Sequence, residues 1–383
     1  MSEINKTYLG CLLAIMSIFA SCSSGKQYDA FTPGELWLDN NGVFINAHGG
    51  GILYNESDKK YYWFGEHKTE GEAGNDANVG VHCYSSTDLY NWLDEGIALA
   101  VAPEGSGSEI EKGCILERPK VIYNAKTEKY VMWFHLEPKG GGYTGARSGI
   151  AISNNVTGPY TYLKSIRPNA GHWPINVLPI HQSGNIPSLG QYYGGGGLPA
   201  HPDSLNLLAR DMEGGQMARD MTLFVDDDGK AYHIYSSEDN STLHISLLND
   251  DYTDESGIYK RNFVGRFMEA PAIFKHDGKY YLMMSGCSGW DPNEARSAVA
   301  DSIFGDWTEL GNPCVNDTAK TTFDSQSTYI LPVQGSKGQF IYMGDRWRPQ
   351  DAIDGRYIWL PIKLEDGRFT IEWKDKWTLD DLK

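Results

Sequence analysis

The stretch Glu269–Trp290, EAPAIFKHDGKYYLMMSGCSGW, carries the pattern that decides the fold of this 383-residue chain. An apolar strand opens on a carboxylate, a polar turn follows, and a second apolar strand begins at Lys279. Apolar and polar residues that alternate with period two are typical of half-buried antiparallel strands, so the stretch predicts a β-hairpin. Sustained helical periodicity is absent from the chain, which predicts that helices are short or missing.

Four more segments repeat this hairpin. The five second strands begin at Lys60 (KYYWFGE), Lys129 (KYVMWFHLE), Lys230 (KAYHIYSSED), Lys279 (KYYLMMSGCSG) and Gln339 (QFIYMGDRW). A polar residue precedes each of these positions by ten to thirteen residues, in order His48, Glu117, Asp220, Glu269 and Gln326. A stacked two-sheet sandwich would not need five equivalent polar strand starts, whereas a ring of blades would bring them together on its axis.

The spacing of the repeats supports the ring. Once an insertion near 171–210 is set aside, the hairpins recur at intervals of about 50–70 residues, which suits one four-stranded blade and its loops. A closed ring also leaves no long exposed sheet edges. Residues 36–383 are therefore predicted to form one all-β domain, a five-bladed β-propeller.

The N-terminus carries a targeting pattern. Lys6 precedes a mostly apolar run over 8–19 that is too short to span a bilayer, and Ala20-Ser21-Cys22 follows. This resembles a bacterial lipoprotein signal over residues 1–21, with lipid on Cys22 and a tether over 22–35. An ordinary secretory signal that happens to contain a cysteine is the alternative. The expectation is an exported protein, lipid-anchored in the cell envelope on the periplasmic face or the cell surface.

The net charge and the cysteines limit the kinds of binding partner and metal site that the sequence predicts. The formal net charge is −17, which argues against binding to nucleic acid or to anionic lipid surfaces. An exported chain permits disulfides, but four cysteines allow three pairings, and C-x-x-C spacing is absent, so no zinc site is predicted. Those four residues are Cys83, Cys114, Cys287 and Cys314. Neither a cofactor, nor a metal, nor a protein partner is implied by the sequence.

Three of the five strand starts are carboxylates, Glu117, Asp220 and Glu269. One such acid alone would ordinarily be a solvated strand end, but three at matching positions in a ring are expected to share a cavity. Repulsion between them and partial burial would raise the pKa of one, which could then serve as a general acid near neutrality. Two acids with separated pKa values are what the hydrolysis of a glycosidic bond requires.

The remaining candidates surround these acids. The HGGG at His48 is similar to the oxyanion turn of esterases, but the chain has no G-x-S-x-G nucleophile, so the glycines indicate close packing at the axis. His48 is expected to point into the cavity, either as a sugar contact or as a structural histidine. Trp290 and Trp347 come at strand ends in polar loops and are candidates for stacking on a sugar. Arg346, in MGDRW, joins the predicted substrate contacts.

The chain resembles glycoside hydrolase family 43 in a series of motifs that occur in the same order. These motifs are NAHGGGILYN, CILERPKVIYN, ARDMTLFVDDDGKAY, the Glu269–Trp290 stretch, and TFDSQSTYILP followed by MGDRW. The likeness is to the exo-β-1,3-galactanase branch of these five-bladed propellers and covers about 44–373. It implies an inverting mechanism in which Glu269 is the general acid and Asp220 tunes and orients it. It also implies that Glu117 holds the sugar and that Gln326 lies near the attacking water.

One departure from the wider family concerns the general base. Most members begin blade one with an aspartate that acts as the base, but here Asn46-Ala47-His48-Gly49 contains no carboxylate, a gap that the galactanase branch shares. Gln326 and Glu117 are the nearest substitutes, and Gln326 would need its imidic tautomer or would only position water. In an inverting enzyme the acid is expected about 6.5–9.5 Å from the group that handles water.

The sequence therefore predicts an exo-acting inverting glycoside hydrolase that releases terminal β-galactosyl units from a polysaccharide or oligosaccharide. The insertion, with His172, Trp173, Tyr192 and Tyr193, is expected to wall one side of the cavity, or else to be a solvated loop. Alternatives within the family are an α-L-arabinofuranosidase, a β-xylosidase or a β-galactofuranosidase. An alternative of another class is a carbohydrate-binding propeller without catalysis.

Overall fold

The computed structural model describes residues 26–186 and 201–383, and its strands form five sheets built from consecutive segments of the chain, antiparallel except for one two-residue strand. The first strands of the sheets are β1 (His48–Asn55), β5 (Ile115–Asn124), β9 (Met221–Val225), β13 (Met268–His276) and β18 (Gln326–Pro332). The second strands are β2 (Lys60–His67), β6 (Lys129–Glu137), β10 (Ala231–Ser237), β14 (Lys279–Gly286) and β19 (Phe340–Arg346). Each first and second strand form the hairpin that the sequence predicts.

Two outer strands complete each sheet. The third strands are β3 (Gly80–Ser86), β7 (Arg147–Ser153), β11 (Thr242–Leu248), β15 (Arg296–Ala300) and β20 (Arg356–Glu365). The fourth strands are β4 (Leu93–Ala100), β8 (Thr161–Ile166), β12 (Glu255–Asn262), β16 (Thr308–Gly311) and β21 (Arg368–Glu372). A two-residue strand, β17 (Cys314–Val315), pairs in parallel with β21.

The five first strands line a central axis. β1 contacts β5, β5 contacts β9, β9 contacts β13, β13 contacts β18, and β18 returns to β1. The sheets are thus the blades of a closed ring, and the prediction of an all-β five-bladed propeller is confirmed. Apolar side chains pack between neighbouring blades in buried clusters, as alternation along the strands requires.

Four first strands share an irregularity just after their polar residue. The register of pairing with the second strand shifts after His48, after Glu117, after Glu269 and after Ser327 in the four strands β1, β5, β13 and β18. Such β-bulges re-aim side chains near the rim of a sheet. In β5 and β13 the residues directly after the two glutamates, Arg118 and Ala270, have positive φ angles of 54°.

Packing closes the ring between blade 1 and blade 5. Among the described residues each blade is built from its own consecutive strands, so no strand is exchanged between the chain's two ends. Instead, Phe31 near the N-terminus forms an antiparallel bridge with Trp377 near the C-terminus, and their rings stack 4.3 Å apart. Trp63 of blade 1 lies 4.9 Å from Trp359 of blade 5. We refer to this aromatic junction as the blade 1–5 seam.

The described part of the insertion lies against blade 3. It contains two four-residue helices, α1 (Pro202–Leu205) and α2 (Leu207–Arg210). Its earlier part runs along the edge strand β12: the Ile175 N–H donates to the Tyr259 carbonyl, and the Asn176 side chain pairs with both backbone groups of Arg261. Tyr192 and Tyr193 lie outside the described residues.

Helices of the described residues are otherwise limited to three 3₁₀ turns, Glu72–Asn75, Ala352–Asp354 and Leu379–Leu382. In the ranges 26–186 and 201–383, none of the helices has the length and apolar character needed to cross a membrane. The segment assigned above to a signal, together with Cys22, precedes the described residues. Each of the four remaining cysteines is a free thiol.

Candidate active site

A cavity of about 540 Å³ opens on the propeller axis at the ends where the first strands begin. Its walls hold Glu117, Asp220, Glu269 and Gln326, which come from four different blades and which the sequence predicts to meet. Trp290 and Trp347 also line it. Further lining residues that the sequence pattern did not single out are Glu66, Arg118, His135, Tyr143, Arg219, Asn240, Cys287, Ser288 and Gly289. The ring therefore brings the predicted titratable groups together.

Glu269 has the environment of a protonated acid. Burial, followed by the negative charge of Asp220, raises the pKa of Glu269 to about 8, against the opposing charges of Arg118 and Arg219. Its carboxyl group accepts hydrogen bonds from the Gln326 amide at 3.3 Å and, more weakly, from Asn240 at 3.5 Å. A carboxyl group that keeps its proton at neutral pH can donate it to a leaving group.

Asp220 is fixed beside Glu269. One carboxylate oxygen of Asp220 pairs with Arg118 Nε at 2.8 Å, and the other accepts the Ala270 N–H at 3.1 Å. Ala270 directly follows Glu269, so this hydrogen bond ties Asp220 to the backbone that carries the acid. Asp220 is thus held where its negative charge raises the pKa of Glu269.

Both the oxygen and the nitrogen of the Gln326 side-chain amide form hydrogen bonds. Its oxygen accepts hydrogen bonds from Arg118 Nη2 at 2.6 Å and Trp347 Nε1 at 2.9 Å, two groups that can only donate. Its nitrogen donates to Glu269 and to Ser285 Oγ at 3.0 Å. These partners fix the amide orientation and favour the ordinary amide over a form with a proton on oxygen. The 3.3 Å contact with Glu269 is also shorter than the expected 6.5–9.5 Å, so water does not fit directly between these two atoms.

Glu117 is an ionised carboxylate with a fixed position. Burial alone would raise its pKa, but hydrogen bonding and charge from His135, with Lys68 and Tyr143, lower the pKa of Glu117 to about 2. His135 lies 3.0 Å from Glu117 on one side and 3.0 Å from Glu137 on the other. Burial lowers the pKa of His135, but these two carboxylates outweigh it and raise the pKa to about 9, so the imidazole is a cation near neutral pH.

Blade 1 contributes to the cavity through its second strand. Glu66 lies opposite His48 in the β1–β2 register and lines the cavity, where the Arg118 N–H donates to it at 2.9 Å. Burial raises the pKa of Glu66, and the Lys68 ammonium at 2.6 Å opposes that shift. Glu66 is the last residue of the repeat segment KYYWFGE, but the pattern of polar strand starts gave it no role.

His48 does not reach the cavity, so the expectation that it points there is wrong. Its side chain is completely buried, neither ring nitrogen has a hydrogen-bond partner among the described residues, and the ring stacks on Tyr357 at 5.2 Å. Burial lowers the pKa of His48 to about 3, so the ring is neutral. The close packing inferred for the glycine run is present: a Cβ at Gly50 would lie 2.0 Å from the Phe64 carbonyl, and one at Gly51 2.6 Å from Lys120.

The two tryptophans and Arg346 differ in their position. Trp290 is 38% exposed, and its ring meets Trp347 edge-on at 5.7 Å. Both rings also border a smaller side lobe of about 190 Å³ that continues from the main cavity. Arg346 lines neither space, because its guanidinium is paired with Asp324 at 3.0 Å and with nearby backbone carbonyls. The predicted sugar contact at Arg346 therefore has no support in the geometry.

The described residues include one group with metal-ligand spacing. Oxygen or nitrogen atoms of Glu117, His135 and Asp220 lie within 4.8 Å of one another. Both nitrogens of His135 face carboxylates, and Arg118 neutralises Asp220. These groups satisfy one another as an ion-pair network, so the arrangement does not require a cation.

A propeller with a protonatable acid, a charge partner and a fixed carboxylate in one axial cavity belongs to the class of sugar-cleaving enzymes. The model of glycosyl hydrolases family 43 matches residues 203–353. A family 43 β-1,3-galactosidase solved with galactodeoxynojirimycin is 52% identical, covers 91% of this chain and 100% of its own, and superposes with a TM-score of 0.83. This chain therefore belongs to glycoside hydrolase family 43.

Two further solved structures support this family assignment. An exo-β-1,3-galactanase from Phanerochaete chrysosporium, solved with β-1,3-galactotriose, is 32% identical over 92% of this chain and 68% of its own, with a TM-score of 0.73. An exo-β-1,3-galactanase from Clostridium thermocellum is 35% identical over 91% of this chain and 66% of its own, with a TM-score of 0.71. A search of curated sequences returned no match.

Proposed function

We propose that this protein is an exo-acting, inverting glycosidase that releases terminal β-galactosyl units from β-1,3-linked galactan. One observation carries the proposal: Glu269, with a pKa of about 8, stands beside the ion-paired Asp220 in the axial cavity. The similarity to a β-1,3-galactosidase over the whole of that enzyme supports galactose as the sugar.

In this mechanism the Glu269 carboxyl group protonates the glycosidic oxygen while the bond from that oxygen to the anomeric carbon breaks. A water molecule attacks the anomeric carbon from the opposite face, which inverts its configuration, and its surplus proton passes to solvent, from which Glu269 regains its proton before the next turnover. Asp220 pairs with Arg118, and its negative charge favours the protonated form of Glu269 until the leaving group takes the proton. Because the pKa of Glu269 lies near neutrality, proton donation is efficient under ordinary conditions.

Glu117 holds the sugar in the cavity. One of its oxygens already accepts from His135 and the other from the Tyr143 hydroxyl at 2.7 Å, and each has a further lone pair for a sugar hydroxyl. The exposed face of Trp290 offers an apolar surface on which a sugar ring can stack. A fixed carboxylate and an aromatic platform together bind a polyhydroxylated ring in one orientation.

Gln326 keeps the general acid in place. Its amide oxygen is bound by two donors, and its nitrogen faces Glu269, so it connects the acid to the Arg118–Asp220 pair. With the oxygen occupied in this way, we assign Gln326 to positioning rather than to proton abstraction through an imidic form.

The test is hydrolysis of β-1,3-galactobiose and β-1,3-galactan, followed by proton NMR from the first turnovers. The expected first product is galactose in the α configuration, with no oligosaccharides at early times. Early oligosaccharides would contradict exo action, and β-galactose would contradict inversion. Release of arabinose or xylose from aryl glycosides without galactose release would overturn the choice of sugar.

We also propose that the protein is exported and anchored in the cell envelope by lipid on Cys22. The support is the sequence alone: an apolar run followed by Ala20-Ser21-Cys22. Fractionation of cells that express the full chain should place it in membranes, and Cys22→Ala should release it into a soluble fraction. Membrane association that persists in Cys22→Ala would contradict the anchor.

A further inference from the structure

The turn between β10 and β11 has an unusual backbone. Glu238, Asp239 and Asn240 are consecutive non-glycine residues, and all three have positive φ angles, of 50°, 56° and 65°. Asparagine and aspartate tolerate this left-handed region singly, but glutamate adopts it at a cost in free energy, and three such residues in a row are uncommon. Such a conformation persists only where neighbouring groups hold it, so the contacts of this turn identify the residues that stabilise it.

Two arginines hold the two acidic side chains. Arg261 donates to both oxygens of Glu238, each at 2.6 Å, and His244 lies 2.9 Å from the same carboxylate. Arg210 donates to both oxygens of Asp239, at 2.7 Å and 3.2 Å. The side chains of Glu238 and Asp239 are completely buried, and a buried carboxylate that loses its partner is strongly destabilised.

The insertion carries one of these two arginines and contacts the other, Arg261, which belongs to strand β12. Arg210 is the last residue of α2, and Asp203 on α1 accepts a hydrogen bond from Arg261 Nη2 at 2.6 Å. His181, also in the insertion, lies 3.0 Å from the same Asp203 oxygen. Among the described residues the insertion adds no side chain to the cavity wall. The described part of the insertion, 171–186 and 201–210, therefore does not form the predicted wall, and it contacts the supports of the turn instead.

The third residue of the turn faces the acid. Asn240 lines the cavity, and its amide nitrogen lies 3.5 Å from Glu269 Oε2. Its amide oxygen is buried and has no hydrogen-bond partner among the described residues. A buried acceptor beside the acid can bind a hydroxyl group of the sugar that leaves, or the proton of Glu269 itself.

We propose that Arg210 and Arg261 are positioning residues through which the insertion holds Asn240 against the general acid and the leaving sugar. The effect passes along the backbone: the arginines fix Glu238 and Asp239, and these fix the φ angle of Asn240. This inference rests on the proposed function, because it assigns a task to residues around the same acid. It explains why the described part of the insertion packs on blade 3 without lining the cavity.

A double-mutant cycle tests the proposal. Arg210→Gln and Asn240→Ala are each expected to lower kcat on β-1,3-galactobiose by about 10-fold, since small displacements near the reacting atoms cost rate steeply. The double variant should be no slower than the slower single variant, because both changes remove the same contact. Arg210→Lys, which keeps a cation beside Asp239, should recover part of the rate.

Arg266→Gln is the matched control, because Arg266 makes a bidentate pair with Glu309 on the surface of blade 4. It should leave kcat unchanged. Should Arg210→Gln fail to fold, Asp203→Ala takes its place in the cycle. Multiplicative effects of the two changes would overturn the inference, as would an Arg210→Gln enzyme that loses thermal stability but keeps full kcat. Lack of activity in the wild-type protein would instead contradict the proposed function.

Discussion

Blade 1 and blade 4 begin in the same way but end up with opposite roles. His48 and Glu269 both open a first strand just before a β-bulge, and both are desolvated. Desolvation favours the uncharged form of each side chain. The pKa of His48 falls to about 3, so the histidine is neutral, and the pKa of Glu269 rises to about 8, so the glutamate keeps its proton at neutral pH. Only Glu269 faces the cavity, so equal positions in a repeat give equal backbone geometry and not equal access to substrate.

The difference lies in the residues that come directly after each strand start. After His48 comes the glycine run, which lets β1 approach β2 so closely that the Phe64 carbonyl would touch a Cβ at Gly50. His48 is covered, and Glu66 across the strand pair takes the place at the cavity wall. After Glu269 come Ala270 and Pro271, and the Ala270 N–H binds Asp220, which leaves the glutamate at the opening.

Removal of the acid should have the largest effect of any change in this comparison. Glu269→Gln keeps the shape but has no proton to give, so kcat on β-1,3-galactobiose should fall by about 10³-fold. An aryl galactoside whose leaving group needs little protonation should lose far less. Steady-state kinetics on the two substrates give the answer, and an equal loss on both would remove Glu269 from the role of general acid.

Removal of the amide beside the acid should have the next largest effect. Gln326→Ala should lower kcat by about 10²-fold, because the acid loses its connection to Arg118. Gln326→Glu should also be damaging, since it sets two carboxyl groups at the present 3.3 Å contact and the pair would share one proton. Ser285→Ala, which removes only one acceptor of the amide, is the milder control. Near-normal rates in Gln326→Ala would exclude the residue from the mechanism.

The charge on Asp220 should shift the pH profile by a smaller amount. Activity requires protonated Glu269, so kcat/KM should fall as pH rises through about 8, the pKa of Glu269. Asp220→Asn removes a negative charge that raises this pKa, so the alkaline limb should move to lower pH, by about one unit. The measurement is kcat/KM against pH for both enzymes. An alkaline limb that stays in place or moves upward would contradict the coupling.

The smallest effect should come from blade 1. His48→Leu replaces a neutral ring whose nitrogens have no hydrogen-bond partners among the described residues and whose contact with Asp345 is long, at 3.8 Å, so kcat should stay within about twofold and the melting temperature should change by only a few degrees. Calorimetry and kinetics on the same preparation separate stability from activity. A large loss of kcat with an unchanged melting temperature would show that His48 does act on the cavity.

The repeated hairpin predicted the five blades, and the polar strand starts predicted four residues of the cavity. Both follow from local rules: period-two alternation gives strands, and equivalent strands of a ring converge on the axis. Glu117, Asp220, Glu269 and Gln326 lie together because their strands do.

Other residues of the cavity required knowledge of the bulges and turns. Arg118 comes directly after Glu117, and in a regular strand the two side chains would point to opposite faces. The bulge and the positive φ at Arg118 bring both to the cavity. The proline two residues after each glutamate, Pro119 and Pro271, was the available signal. His135 and Asn240 lie on a second strand and a turn, which the pattern of first strands did not cover.

The tryptophans of the blade 1–5 seam allow the closure of the ring to be followed by fluorescence. Trp37, Trp63, Trp92, Trp359 and Trp377 all pack in this one cluster, and they make up five of the chain's eleven tryptophans. Among the described residues, one backbone bridge and ring packing hold the seam together, with no shared strand. Separation of the two blades would therefore expose several indoles to water at once. The intrinsic fluorescence of the unlabelled protein therefore reports ring opening, with a red shift that accompanies the parting of blade 1 from blade 5.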